Sequence, residues 1–218
     1  MGEMKLYQGW HSSASWRVRW ALAIKQVSYE SVWLDIAAGE HLTSLASINP
    51  LLTVPTLVLD DADTLTESVS IIEWLDETYA GRQLMPIDAR RRARVRELVQ
   101  LVNAGIHPLQ NTIVRHAIAS DEAAQRAWCA RWIERGLRAY EAQLAKHSSR
   151  FSVGDELTMA DLFLIPQVHN ARRFGAVLDT CPKVQLIYAT CLELPEAKAT
   201  QPACAAEAAA RSRGRPVT

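Results

Sequence analysis

Two adjacent hydroxyls, Ser12 and Ser13, stand between a short strand-like run, Lys5-Leu6-Tyr7, and a helical segment that begins WRVRWALA. A serine at such a junction can accept a main-chain N–H and cap the helix. It can also donate its proton to an anion held against the helix N-terminus. A second pair of the same kind is Glu67-Ser68, where a strand-like run again gives way to a helix whose first N–H groups carry partial positive charge. A third feature is Thr53-Val54-Pro55-Thr56. A proline entering a strand is trans in most proteins, but in the cis form it turns the preceding backbone outward. Val54 then offers its N–H and C=O to an extended peptide, as in strand addition. Each feature alone reads as ordinary capping or strand entry. Together they form a seat for a peptide-like molecule with an anionic centre.

The elements that must position these residues follow from periodicity. Residues 4–8 alternate and read as a strand, 15–26 as a helix with Trp16, Trp20 and Ala23 or Ile24 on one stripe, and 29–34 as a second strand. A short helix over 39–48 ends before Asn49-Pro50; 56–59 and 64–66 form a hairpin around Asp60-Asp61-Ala62-Asp63; a helix runs from Ser68 to Tyr79. This is a small α/β domain, residues 1–82. After a linker at 81–86, only helical patterns appear, at 88–104, 121–146, 158–172 and 182–192, so residues 87–201 read as an all-α domain. The Ala-rich stretch 202–218, ending Arg-Ser-Arg-Gly-Arg-Pro-Val-Thr, reads as a flexible tail. In a thioredoxin-like arrangement of the first domain, its three junctions converge on one edge of the sheet.

Composition narrows the function classes. The 218 residues carry 24 Lys+Arg and 24 Asp+Glu, so no global field favours nucleic acid or a membrane surface. Residues 1–80 hold 4 basic and 11 acidic residues, net −7, and the remainder is net +7. Opposite charges of this kind can attract within a chain or across a dimer. Arg90, Arg91, Arg92, Arg94 and Arg96 crowd one helix, but without interleaved aromatics they read as a solvated face, with no nucleic-acid partner. Cys129, Cys181, Cys191 and Cys204 lack C-x-x-C spacing and no histidine completes a zinc set, so no metal is expected. Scattered thiols, no signal-like N-terminus and no apolar run of about 20 residues point to a cytoplasmic protein. Thr158-Met159-Ala160-Asp161 is a capping-box-like helix start, and Asp161 is expected to be structural. His107 and His169 receive no role.

The segments SSASWRVRWALAIK, NPLLTVPTLVLDD, LTESVSIIEWLDETY, GIHPLQN, VGDELTMADLFLIPQV and NARRF follow one another over residues 4–195. This succession resembles the zeta-class glutathione transferases, the family of maleylacetoacetate and maleylpyruvate isomerases. The resemblance implies a thioredoxin-like domain followed by an all-α domain, glutathione as cofactor, a homodimer, and isomerisation of a small anionic substrate in aromatic compound catabolism. Its other implications are a transferase or dehalogenase acting on a different electrophile, or a non-catalytic binding protein of the same fold. By resemblance, Ser12 hydrogen-bonds the glutathione sulfur, with Ser13 and Ala14 beside it. Val54 before a cis Pro55 pairs with the cysteinyl backbone, and Glu67 and Ser68 hold the γ-glutamyl end. Glu40 or His41 lies near the glycyl carboxylate. Gln110 and Asn111 line the cleft. Arg173 acts in catalysis on a substrate carboxylate, and His11 and Arg115 also face substrate. Two positions depart from the family pattern: Ala14 stands for its usual cysteine and His11 for its usual arginine. Arg115 or Arg172 is then expected to supply the charge that His11 lacks.

Overall fold

Alternating buried residues in Lys5–Gln8 make β1, with Leu6 and Gln8 turned inward. The computed structural model describes residues 4–212. The chain continues through α1 (Ser13–Lys25), β2 (Glu30–Trp33), α2 (Glu40–Ser44), β3 (Thr56–Val58), β4 (Thr64–Thr66) and α3 (Ser68–Thr78). The four strands form one sheet in the order β2-β1-β3-β4, with β1 and β2 parallel and the other pairs antiparallel.

Register decides where the junctions fall. Tyr7 pairs with Thr56, and Thr56 with Thr66. The chain leaves β1 and β4 and enters β3 at that same end of the sheet. The Gly9–Ser12 turn, Val54-Pro55 and Glu67-Ser68 are therefore neighbours along one sheet edge. Because β2 runs parallel to β1, the loop leading to α2 also departs from this end.

Trp16, Trp20 and Ile24 are all buried, as the stripe requires, but twelve of the thirteen α1 residues are buried. A helix enclosed on every side needs no polar face, which is why no one-sided pattern marks it. The stacked Trp16 and Trp20 rings lie 6.4 Å apart. Lys25 forms a buried ion pair with Asp76 of α3 at 2.8 Å. On another side, Trp16 Nε1 donates to Thr200 Oγ1 at 3.2 Å and Arg19 Nε to the Thr200 carbonyl at 3.3 Å.

Those last contacts change the expected division of the chain. It forms two compact units, Met1–Arg82 with Pro195–Thr218, and Gln83–Leu194. Residues 195–201, expected in the helical domain, instead belong to the first unit as α9 (Pro195–Thr200), because Trp16 and Arg19 hold Thr200. The expected flexible tail also differs: Pro202–Ser212 is helical. Residues 213–218 lie outside the described residues.

The second unit contains α4 (Ala89–Asn103), a 3₁₀ turn (His107–Gln110), α5 (Thr112–Ile118), α6 (Glu122–His147), α7 (Met159–Phe174) and α8 (Pro182–Leu192). Val95, Leu98, Val99 and Val102 of α4 meet a core made by Cys129, Ile133, Leu137, Tyr140 and Leu144 of α6 and by an almost wholly buried α7. Gly136 permits a close approach: a Cβ there would sit 2.2 Å from Ile106 Cγ1. Asp161, fully buried, accepts the Ser152 and Thr158 main-chain N–H groups, each at 2.8 Å, and the Thr158 hydroxyl at 3.2 Å. It starts α7, a structural role in keeping with its capping-box motif. The 3₁₀ turn and α5 carry no readable sequence signal, being short and beginning near Pro108.

Candidate active site

Ser12 is the N-cap of α1, in extended conformation, and its Oγ accepts the Ser15 main-chain N–H at 3.1 Å. A hydroxyl has one proton to donate and two lone pairs to accept with. Capping uses one lone pair and leaves the proton. Among the described residues, none takes that proton. Capping and donation, alternatives in the sequence, are thus compatible in one side chain. Ala14, in the first helical turn beside it, is small and buried.

The turn carrying Ser12 is braced from within α1. Ser12 N–H donates to the Gly9 carbonyl at 3.2 Å, and the same carbonyl accepts Arg19 Nη1 at 3.3 Å. Arg19 Nη1 also reaches Gln8 Oε1 at 3.1 Å, while Gly9 N–H donates to Ser15 Oγ at 3.4 Å. Arg19 lies over the Trp33 ring, 5.5 Å from its centre. Burial lowers its pKa to about 10, with Tyr29 opposing the shift.

Val54-Pro55 is cis. Among the described residues, no group of the chain pairs with the Val54 main-chain N–H or C=O. The neighbouring loop is tied instead through Asn49, whose Nδ2 donates to the Thr53 carbonyl and to Thr56 Oγ1, both at 2.9 Å.

Glu67 precedes α3 with φ of 66° and ψ of 119°, a region that a side chain rarely occupies without support. Part of that support is Arg17, which is fully buried and donates from Nη1 to Ser68 Oγ at 3.2 Å. Burial lowers the Arg17 pKa to about 9, and the charge of Glu67 pulls it back upward. A buried cation under a strained glutamate fixes the Glu67-Ser68 turn at the sheet edge.

Glu40 and His41 open α2. Glu40 Oε2 accepts the Asp35 main-chain N–H at 2.8 Å, so this carboxylate braces its own loop. His41 Nδ1 is buried without a hydrogen-bond partner among the described residues. His11 is exposed and packs edge-on to Trp10, with ring centres 6.0 Å apart.

In the second unit, Gln110 is buried in an amide network. Its Nε2 donates to Gln167 Oε1 at 2.7 Å, and its Oε1 accepts Gln167 Nε2 and Asn170 Nδ2, each at 3.4 Å. Asn111, next in sequence, is exposed at the start of α5. Arg115 and Arg173 share one aromatic partner: their guanidinium carbons lie 5.7 and 5.6 Å from the centre of the Phe174 ring. Arg126 Nη2 donates to the Arg173 carbonyl at 2.9 Å. The Arg173 pKa is lowered first by partial desolvation, then by Arg115 and Arg126. Arg115 and Arg173 have no carboxylate within 4.0 Å among the described residues and oppose each other's charge, while Arg115 Nη2 donates to Thr112 Oγ1 at 3.0 Å. Arg172 does not join them; it stacks on Tyr188 at 4.3 Å.

Arg17, Arg19 and Phe174 lie within the segments SSASWRVRWALAIK and NARRF, but no local motif there gives them a role. For the two arginines a subtler signal exists. Two cations two residues apart in an α-helix point about 200° apart. One solvated stripe cannot hold both within the run Trp16–Leu22, so at least one must be buried.

The chain is similar to known proteins over nearly its whole length. Residues 11–78 match the family model for the glutathione S-transferase N-terminal domain, and residues 107–199 the one for its C-terminal domain. Maleylpyruvate isomerase of Ralstonia sp. is 41% identical over 213 residues, covering 94% of this chain and 100% of that one. The holo structure of a maleylpyruvate isomerase described as a bacterial zeta-class glutathione S-transferase superposes with a TM-score of 0.87 at 41% identity, covering 92% of this chain and 97% of the other. A maleylacetoacetate isomerase from Methylobacterium extorquens AM1, with bound malonate and glutathione, superposes with a TM-score of 0.88 at 33% identity, covering 98% and 100%. With matching family models in both units and this identity across nearly its whole length, the chain belongs to the glutathione transferases, in their zeta class.

Proposed function

We propose that this protein is a glutathione-dependent cis–trans isomerase acting on maleylacetoacetate or maleylpyruvate. The observation that carries the proposal is the Ser12 hydroxyl. It caps α1 through Oγ yet keeps its proton, at the positive end of a buried helix.

The residues present fit glutathione. Val54 has an unused main-chain donor and acceptor for the cysteinyl backbone. The Glu67-Ser68 turn, stiffened by Arg17, offers a carboxylate to the γ-glutamyl amine and helix N–H groups to its carboxylate. His41 suits the glycyl carboxylate better than Glu40, whose negative charge would repel it and whose oxygen is engaged with Asp35. Bound glutathione supplies a thiolate that adds to the cis double bond and leaves after rotation about the resulting single bond. Ser12 donates its proton as a hydrogen bond to the sulfur and so lowers the thiol pKa from about 8.5. Arg173 and Arg115 bind the substrate carboxylates and stabilise negative charge that develops on the neighbouring carbonyl oxygen. The Phe174 ring lies within 6 Å of both guanidinium carbons, at 5.7 and 5.6 Å. Ala14 adds no thiol beside the sulfur, which favours simple isomerisation over mixed-disulfide chemistry. His11 gives a pH-dependent contact where an arginine would give a permanent one.

The same reading includes a homodimer and a cytoplasmic setting. The two units carry opposite net charges, −4 for residues 1–82 with 195–218 and +4 for residues 83–194, which supports association. Cys129, Cys181, Cys191 and Cys204 are all unpaired, as thiols are in a reducing compartment. Light scattering on the purified protein reads the oligomeric state.

The test is to follow the absorbance of maleylpyruvate with and without glutathione. A loss of signal that requires glutathione and yields the fumaryl isomer is expected. Absence of glutathione-dependent turnover overturns the proposal.

A further inference from the structure

We propose that the second unit carries a binding site for a small phosphorylated anion, in the cavity between the first two turns of α4, the end of α6 and the Val153-Gly154 turn. The cavity has a volume of about 620 Å³ and is lined by Arg90, Arg91, Arg94, Lys146 and His147. It is a depression open to solvent, with Arg90, Arg91 and Lys146 exposed on its rim. No carboxylate lines it.

The arginines of α4 stay at the surface, with Arg90, Arg91 and Arg96 exposed and Arg92 and Arg94 half-buried. Arg92 turns away to donate to the Pro86 carbonyl at 3.3 Å. Arg90, Arg91 and Arg94 gather on the cavity. Arg94 has one carboxylate partner, the half-exposed Glu97 at 2.6 Å. Arg90, Arg91 and Lys146 have none within 4.0 Å among the described residues.

The placement opposes the local energetics of the helix. Lys146 and His147 end α6, where cations suit the helix dipole. Arg90 and Arg91 sit in the first turn of α4, where cations are disfavoured; the N-cap Asp88 is the acidic side chain at this helix start, and with Glu156 it lines an adjoining depression that Arg91 shares. Asp88 caps this helix, accepting the Arg91 main-chain N–H at 2.8 Å, but lies outside the lining. Arg90 and Arg94 are four residues apart and repel. The fold also makes room for one guanidinium. Gly154 has φ of 81°, and a Cβ there would sit 3.0 Å from Arg91 Nη2. Arg91 lies against that bare backbone and donates from Nη2 to the Val153 carbonyl at 3.4 Å. Concentrated charge of one sign, one member of it pre-positioned, is arranged for an anion from outside.

The chemistry of the lining selects the anion. Planar guanidinium forks match pairs of phosphate oxygens. The only aromatic ring in the lining is the His147 imidazole, with no Phe, Tyr or Trp beside it, so a single-stranded nucleic acid finds no run of stacking platforms. A phosphate or diphosphate group on a small metabolite fits.

The probe is inorganic pyrophosphate, titrated calorimetrically into the full chain at an ionic strength of about 10 mM, where surface fields are weakly screened, and again near physiological salt. Saturable one-site binding is expected. Arg91→Gln and Arg94→Gln are each expected to weaken it about tenfold. Arg131→Gln, on an exposed arginine of α6 outside the lining, is expected to leave it unchanged. Thermal melts identify any variant that fails to fold, and Lys146→Gln then replaces it. Absence of saturable binding overturns the proposal. So does equal weakening by Arg131→Gln, which signals diffuse charge, or tighter binding of a short DNA duplex sensitive to the same variants, which makes the face a nucleic-acid surface.

Discussion

The Ser12 hydroxyl oxygen accepts the Ser15 main-chain N–H at 3.1 Å, and this single bond separates two roles of one side chain. The cap needs only an acceptor; activation of a thiol needs the proton. Ser12→Asp preserves the acceptor and removes the donor. It is expected to keep the melting temperature close to that of the parent, because aspartate caps as well as serine. It is expected to abolish isomerisation, because a carboxylate repels a thiolate. Ser12→Ala is expected to lose both, with about 1 kcal/mol of stability from the missing cap. Thermal melts beside turnover measurements check this; an active Ser12→Asp variant would remove Ser12 from the chemistry.

Arg173 and Arg115 both approach the Phe174 ring and repel each other. Arg173→Ala is expected to raise KM and lower kcat for a maleyl substrate while leaving conjugation of glutathione to a neutral aryl chloride nearly unchanged. The measurement is the ratio of kcat/KM on the two substrates. An equal loss on both would contradict a role in binding carboxylates.

Arg17 is charged at neutral pH but fully buried, with its pKa lowered from 12.5 to about 9. Above pH 9 the unfolded chain retains a proton that the folded chain has released. Linkage therefore makes this group add stability as pH rises through 9 and cost stability below it. Arg17→Met removes that dependence. Stability of the parent relative to Arg17→Met is expected to rise by about 1 kcal/mol between about pH 8 and pH 10. Denaturant unfolding at both pH values reads it. In the same variant the KM for glutathione is expected to rise, because the Glu67-Ser68 turn loses its brace.

Asp161 satisfies two buried main-chain N–H groups and one hydroxyl at the start of α7. Asp161→Ala is expected to destabilise the fold by about 3 kcal/mol, since each orphaned buried donor costs about 1–3 kcal/mol. Activity measured well below the melting point is expected to survive. A variant as stable as the parent would show that water or rearrangement replaces the carboxylate.

Much of the first unit is legible in its residues. The strand–helix junctions at Ser12, Val54 and Glu67 carry local signals: a capping hydroxyl, a proline at strand entry and a glutamate-serine pair. The sheet strands and the long helices α4, α6, α7 and α8 are legible from periodicity, because a residue's neighbours three or four positions away decide which face it covers. Elements too short for a period, the 3₁₀ turn, α5 and α9, are not.

The sequence by itself determined which groups are available and in what local geometry: Ser12 at a helix start, cations at 17 and 19 among apolar neighbours, five arginines in α4. Tertiary structure decided how they are used. Register between β1, β3 and β4 put three distant junctions at one sheet edge, and only pairing across the sheet could do so. Enclosure of α1 turned Arg17 and Arg19 into buried braces, which is a property of the helices packed against α1 and not of its own residues. Packing of α4 against the end of α6 divided one arginine run into a cavity lining and a backbone tie. Burial and electrostatic partnership depend on residues far apart in the chain, so they emerge only when the chain is folded.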